Sequence, residues 1–483
     1  MKYDDVVIGG GVSGLTTAVL LAQNGRRVCV LEQAAQIAPT IRGFVRKGTY
    51  FDTGFHYGTM LGEGEPFRRL CERLGIMSDI DVRPYACTAD SLYVTEEGFT
   101  FDFESGLDKF IGRLIGLFAD ERPAIVRFGD RVRDFLTRLN DSFFATVMNP
   151  AAIFQNGSEP FSKYLDSNFS SPRLKTILSS HAVLYGSVPQ ETSVDYHTMV
   201  CGAYYDRSWQ IVGGGRAIVD GFARKLRECG VAVHTGCHVA RIRTDEGKAV
   251  EAVVLENGET IFCENCIFTG HPRNLVSMLP AGSLRPVYQS RLESLEDTVS
   301  AIVVYCRSGK AGREGALNNT ILLHRQFPDL FCYDAAFANR PMYISRSIGE
   351  NRSDGLSIIC PCLYGEVERW KDSVVGERPA AYYQWKREAA EAVVEGARKY
   401  CDGRLGDVEI VDVATPLTFR DFMGAPQGCL YGPKHRVEDM PFMPGTRVKG
   451  LYLSGQTIIT AGVMGVMVAG FVTAASITKE VYE

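Results

Sequence analysis

Little in this sequence suits a nucleic-acid partner, a disulfide scaffold or a metal centre. Lys and Arg number 52 against 57 Asp and Glu, giving a net charge of -5, so the basic footprint that a polyanion requires is missing. The 14 cysteines are scattered without framework spacing. The start "MKYDDVVIGG" enters a strand with no leader-like segment. Free thiols in a reducing cytoplasm are therefore expected. "CENC" at Cys263 to Cys266 has no partner pair for zinc and sits between strand-like stretches rather than at a helix N-terminus, so a structural role is expected. His181, His197, His234, His238, His271, His324 and His435 form no metal-ligand spacing. His234 and His238 stand four apart, but "VHTGCHV" reads as strand and turn, and no metal is expected there. No Ser-His-Asp set or nucleophile elbow occurs. Charge is missing altogether from "GLYLSGQTIITAGVMGVMVAGFVTAASIT", Gly450 to Thr478, between Lys449 and Lys479.

What the sequence has in excess is glycine, 49 residues in 483, above the roughly 7% of average usage. The length calls for two or three substructures. The glycines gather in short loops, most tellingly in "YDDVVIGGGVSGLTTAVLLAQNGRRVCVLEQ". Val6, Val7 and Ile8 form a buried strand, and Gly9, Gly11 and Gly14 give G-x-G-x-x-G before the helical "LTTAVLLAQNG". A second strand ends at Glu32, 18 residues past Gly14. Gly9 permits the tight turn, and Gly11, with Val12 and Ser13 opening the helix, lets pyrophosphate approach the helix N-terminus. Gly14 lets helix and strand pack closely, while Glu32, with Gln33 beside it, meets the adenosine ribose.

A nicotinamide enzyme usually continues with further βαβ units, whereas this chain runs into the turn-rich "QIAPTIRGFVRKGTYFDTGFHYGTML". The other Gly-rich stretch, "VGGGRAIVDGF" at 212–222, has Ile218 where the third glycine belongs and reads as a loop opening a helix. One dinucleotide is thus expected, and the context favours FAD over NAD. Downstream, "VAVHTG" is a strand, "HVARIRT", "AVEAVVLEN" and "ETIFC" form a meander, and "CIFTGHP" is a final strand. Asn257-Gly258 suits a type I′ turn. In an FAD fold Val239 lies where backbone meets the adenine edge. Residues 107–139 are helical, with Leu107, Phe110, Ile111, Leu114, Ile115 and Phe118 on one face and a break near Pro123. That face reads as core, and any membrane contact is expected from this region. Residues 160–185 continue helical, and 297–362 carry short apolar strands.

Four stretches together resemble the flavin-dependent carotenoid and retinoid oxidoreductases: phytoene desaturases, prolycopene isomerases and retinol saturases. They are the N-terminal fingerprint, "YFDTGFHYGTML" (50–61), "YGSVPQETSV" with "CGAYYDRSWQIVGGGRAIVDGF", and "TPLTFRDFMGAPQGCLYG" leading into "GLYLSGQTIITAGVMGVMVAG". The resemblance implies an α/β fold: a Rossmann-like FAD-binding domain of the glutathione-reductase/amine-oxidase type with an inserted α+β substrate domain. It suggests residues 1–78, 206–290 and 411–483 for the FAD part, and 79–205 with 291–410 for the substrate part. Two motifs depart from the family pattern. A glycine pair is reduced to Arg42-Gly43, and a "GQD" appears as Gly455-Gln456-Thr457.

The resemblance further implies FAD held by these segments, by Gly54, and by Gly462, Val463 and Met464. His56 and Tyr57 are the candidates for proton transfer beside the flavin. Tyr204 and Tyr205 are candidates to line the path of a hydrophobic substrate, a polyene or isoprenoid lipid. Either a saturase-type reduction or a redox-neutral isomerisation fits. An amine or protoporphyrinogen oxidase and a flavin-free lipid escort are further alternatives. An external NAD(P)H or quinone is a conceivable electron partner, though a second dinucleotide site is not seen.

The uncharged stretch then needs no membrane. A span requires ~20 apolar residues in one helix, while "LYLSG" is a strand, Gly455 to Gly462 a turn, and only Val463 to Ile477 a helix. Strand, cofactor loop and buried helix are expected, with the positive helix end aimed at the flavin.

Overall fold

The computed structural model describes residues 2–141, 143–144, 159–309, 318–347, 355–401, 405–437, 439 and 442–480. A first sheet runs in the order Ala232–Thr235, Val28–Glu32, Lys2–Ile8, Thr260–Phe268, Ala249–Leu255, Val239–Asp245. The four strands from Ala232–Thr235 to Thr260–Phe268 are parallel, and the last two turn back antiparallel. Thr260–Phe268 holds two partners along one edge. Its first residues pair with Ala249–Leu255, and Cys266 to Phe268 pair in parallel with Leu451–Leu453. The near-continuous burial of Val6, Val7 and Val28 to Leu31 is what a parallel sheet covered on both faces requires.

Thr260–Phe268 is one strand, not the two expected, so "CENC" lies inside it. Cys263 and Cys266, an odd number of positions apart, face opposite sides of the sheet. Burial pushes the Cys263 thiol up to about 12 and the Cys266 thiol well above its ordinary value. The type I′ geometry also falls elsewhere. Glu246 and Gly247 both take positive φ (43° and 75°), whereas at the other hairpin Gly258 does so but Asn257 does not. There Gly258 N–H bonds Leu255 O, the pattern of a longer turn closed by a left-handed glycine.

Two helices cover this sheet from opposite ends of the chain. Val12–Gln23 follows the first strand, and Val463–Thr478 follows Leu451–Leu453. They touch where Gly470 meets Thr16, with Thr17 Oγ1 donating to Gly470 O at 3.4 Å. Val463–Thr478 is buried on nearly every side. Among the described residues no helix is long and apolar enough to cross a membrane.

A second sheet has the order Val408–Ala414, Ser300–Ser308, Gly355–Cys362, Met342–Arg346, Asn319–Leu323, Thr88–Val94, Phe99–Glu104. It is antiparallel except between Asn319–Leu323 and Thr88–Val94. Helices Leu107–Leu117, Arg122–Asp141, Phe161–Asn168, Pro172–Ser179 and Val194–Asp206 pack beside it, as does Ala380–Tyr400. Leu107, Phe110, Ile111 and Leu114 are buried, and Phe110 stacks on Tyr205 with ring centroids 4.7 Å apart. Ile115 and Phe118 are half-buried against the same cluster, so this face is part of the core.

Candidate active site

A cavity of about 1180 Å³ opens between the two helix N-termini. Gly11 caps Val12–Gln23 and Gly462 caps Val463–Thr478, neither with a side-chain cap. Both glycines border the cavity, and a Cβ on either would meet no protein atom within 4 Å. Two sets of unpaired backbone N–H groups therefore face open space. The other fingerprint glycines do different work. Gly14 packs against the carbonyl of Gly9 and the side chain of Val7, and Gly9, at φ +107°, lies against the Thr269 hydroxyl. Glu32 has its carboxylate aimed by two backbone donors, Gly10 N–H at 2.6 Å and Ala34 N–H at 2.7 Å. Each oxygen keeps a lone pair for a ribose hydroxyl. The space, its two positive ends and the acid suit a dinucleotide.

Gly9, Gly11, Val12, Ser13, Glu32, Gln33, Gly43, Gly54, Val239, Gly455, Gln456, Gly462 and Val463 line this cavity, as does His56. Gly14 and Arg42 do not, and Arg42 faces Asp220 at 3.4 Å. Met464 lies instead on a second cavity of about 230 Å³. This smaller space is walled by apolar and aromatic groups, among them Phe67, Phe143, Met199, Tyr204, Phe331 and Tyr343. It shares Gly54, His56, Ile359, Leu430, Tyr431, Gly462 and Val463 with the larger one. Tyr204 lines it; Tyr205 lines neither, being held in the core by His197 Nε2 and by Leu178 O, each at 3.0 Å.

His56 stands at the junction, with no hydrogen-bond partner among the described residues. Burial lowers it to about 4, so the imidazole is neutral at neutral pH. Tyr57 behaves differently: its hydroxyl donates to Asp90 Oδ2 at 2.7 Å. Burial, and then the Asp90 charge, holds its proton far more tightly than an ordinary phenol.

Residues 12–325 match the family described as flavin containing amine oxidoreductase. The chain belongs to that family. It is an FAD-dependent oxidoreductase. All-trans-retinol 13,14-reductase of Danio rerio is 24% identical, over 98% of this chain and 85% of its own length. The chloroplastic prolycopene isomerase of Arabidopsis thaliana is 24% identical, over 98% and 83%. The crystal structure of an oxidoreductase from Methanosarcina mazei superposes with a TM-score of 0.68 at 14% identity, over 99% of this chain and all of that one.

Sequence reasoning passed over several groups that border this flavoenzyme's cavities. Leu430 and Tyr431 lie inside "GAPQGCLYG", a stretch already singled out, so the signal was present there. Ile359 had only an apolar strand to announce it, and Asp90, which lies behind Tyr57 of the cavity wall and not on the cavity itself, had nothing. His271, Asp297 and Cys429 bring ligand atoms within 4.8 Å of one another. They satisfy each other and their neighbours. His271 Nδ1 accepts from Arg273 N–H (3.3 Å), its Nε2 donates to Asp297 Oδ1 (2.9 Å), and Arg273 pairs with the same carboxylate. Burial raises the Cys429 thiol to about 12.

Proposed function

We propose that this flavoenzyme exchanges hydride and proton with a C=C or C–C bond of a hydrophobic polyene or isoprenoid lipid. One observation carries the reading: an apolar, aromatic-walled cavity meets the dinucleotide-sized cavity at His56, Gly54 and Gly462. A substrate with few polar handles needs such walls. The relatives named for retinol and prolycopene chemistry support the same class.

In this reading Glu32, Gln33 and Val239 hold the adenosine end and Gly11, Val12, Ser13 and Gln456 the pyrophosphate. Gly43, Gly54, Gly462 and Val463 flank the ring. The flavin supplies hydride exchange at N5. The helix starting at Val463 offsets negative charge at the pyrimidine edge. Either His56, neutral at neutral pH, or Tyr57 gives or takes the proton at the neighbouring carbon. The aromatic walls exclude water. Segments 79–205 and 291–410 act as the substrate part, with the edge strand of their sheet continuing to Ala414. NAD(P)H or a quinone exchanges electrons from outside. A redox-neutral isomerisation is the second reading, favoured by the isomerase match.

The test is anaerobic. The purified yellow protein is reduced with dithionite, then mixed with all-trans-retinol or a carotenoid. Reoxidation with a saturated product supports reduction, and geometric conversion without reoxidation supports isomerisation. Inertness toward every polyene together with rapid turnover of an amine overturns both.

A further inference from the structure

Tyr57, Asp90 and His181 come from three separate segments and meet behind the wall of the apolar cavity. Asp90 and His181 are fully buried. Asp90 Oδ2 accepts from the Tyr57 hydroxyl at 2.7 Å and lies 3.4 Å from His181 Nε2. Among the described residues Asp90 Oδ1 and His181 Nδ1 are buried without a hydrogen-bond partner. A carboxylate kept for packing alone would have its lone pairs filled by backbone N–H groups or by an arginine. Among the described residues the ionisable groups facing Asp90 are instead Tyr57, Tyr85, Tyr204, Tyr343, Cys201 and His181. None is a fixed cation, and all carry exchangeable protons. Tyr57, Tyr204 and Tyr343 present their rings to the cavity.

We propose that Asp90, with His181 behind it, is the positioning and proton-supplying partner of Tyr57, and that Tyr57 exchanges the proton with the substrate carbon. The proposal rests on the polyene reading above. In the reducing direction the two-electron-reduced flavin, when bound, would supply the hydride that one carbon of the C=C bond takes up with its electron pair. The π pair would form the second C–H bond with the Tyr57 hydroxyl proton, and one proton shared between Asp90 and His181 would pass through Asp90 Oδ2 to the phenolic oxygen, leaving Asp90 a carboxylate and His181 neutral. Desaturation runs the same transfers backwards. The 2.7 Å hydrogen bond between the Tyr57 hydroxyl and Asp90 Oδ2 is the path along which a replacement proton reaches the phenolic oxygen. Asp90 is placed to provide that replacement.

The experiment compares Asp90→Asn, Tyr57→Phe and the double variant with all-trans-retinol as substrate, each checked for wild-type flavin content and dithionite reduction. D90N keeps the shape and one acceptor oxygen but cannot relay a proton through that oxygen. Its kcat is expected to fall ~10²-fold or more at nearly unchanged KM, with a flattened pH profile. Y57F should lose as much, and the double variant no more than Y57F. Infrared difference spectra of the holoenzyme should show an Asp90 side-chain band, absent in D90N and shifted in Y57F. Wild-type kcat and pH profile in D90N, losses that multiply in the double variant, or an Asp90 band indifferent to Y57F would each overturn the proposal. If D90N does not fold, His181→Gln takes its place in the kinetic comparison, and the band shift in Y57F still decides. Failure of the parent reading looks different: wild type itself would be inert toward retinol.

Discussion

Ser13 and Ser454 stand 441 residues apart in the chain and meet hydroxyl to hydroxyl at 2.7 Å. Their bond ties the first turn of the N-terminal helix to the end of Leu451–Leu453, the strand before the C-terminal helix. Thr473 Oγ1 reaches the same Ser454 hydroxyl at 2.9 Å. The two halves of the flavin cavity are thus held by one small buried network, and Gly470 seals it. A Cβ there would lie 2.7 Å from Thr16 Cβ and 3.0 Å from Ser13 O. Gly470→Val should lower stability by about 1–3 kcal/mol through overpacking. The expected result is a lower thermal midpoint with flavin released at that temperature.

Gly11 and Gly9 should answer substitution in opposite ways. Gly11 has an extended backbone (φ -72°, ψ 172°) and open space beside it, so Gly11→Val costs at most about 1 kcal/mol of capping. The side chain fills the cavity instead. A folded protein with normal circular dichroism and ~10-fold or greater loss of flavin affinity is expected. Gly9→Ala is strained at φ +107° and collides with Thr269. It should lower the thermal midpoint of the apoprotein itself.

Tyr204 and Tyr205 are neighbours in sequence with separate consequences. Tyr204→Ala removes a ring from the cavity wall and from its edge contact with Tyr57 at 5.0 Å. It should raise KM for a polyene. Tyr205→Phe leaves the cavity intact but strips buried His197 and Leu178 O of a partner. A loss of about 1–3 kcal/mol with unchanged KM is expected from denaturant unfolding and steady-state assays.

His197 should make the protein acid-sensitive. Burial lowers it to about 3, below the ~6.5 of an unfolded chain. A folded-state pKa below the unfolded one means that its contribution is complete above pH 6.5. It is lost progressively as pH falls from there toward 3. His197→Gln should flatten the decline of the thermal midpoint between pH 7 and pH 4, by an amount on the order of a few kcal/mol at the acid end.

The nucleotide unit could be read from the chain because its parts are contiguous. Strand, glycine turn, helix and Glu32 occupy 31 successive positions from Lys2 to Glu32, and local sterics decide each. The uncharged C-terminal stretch was legible for a similar reason. Gly455 and Gly462 interrupt it, and what remains is too short to span a bilayer. The hairpins were harder. Both "DEGK" and "NGE" suit tight turns, and pairing register across the sheet chose which one took the positive-φ pair. The unbroken strand through "CENC" was hidden because it is made by its partners, Lys2–Ile8 on one side and Leu451–Leu453 on the other.

By itself the sequence determined the local devices: where glycine lets a backbone turn or approach, which helices are buried, and where an acid ends a strand. Those depend on neighbours within a few turns of chain. Only the tertiary structure decided that Arg42 faces Asp220, that Tyr204 borders a cavity while Tyr205 does not, and that Tyr57 meets Asp90 and His181. Such contacts join segments separated by tens to hundreds of residues. Their positions follow from how two sheets and their covering helices pack, and no local pattern encodes that.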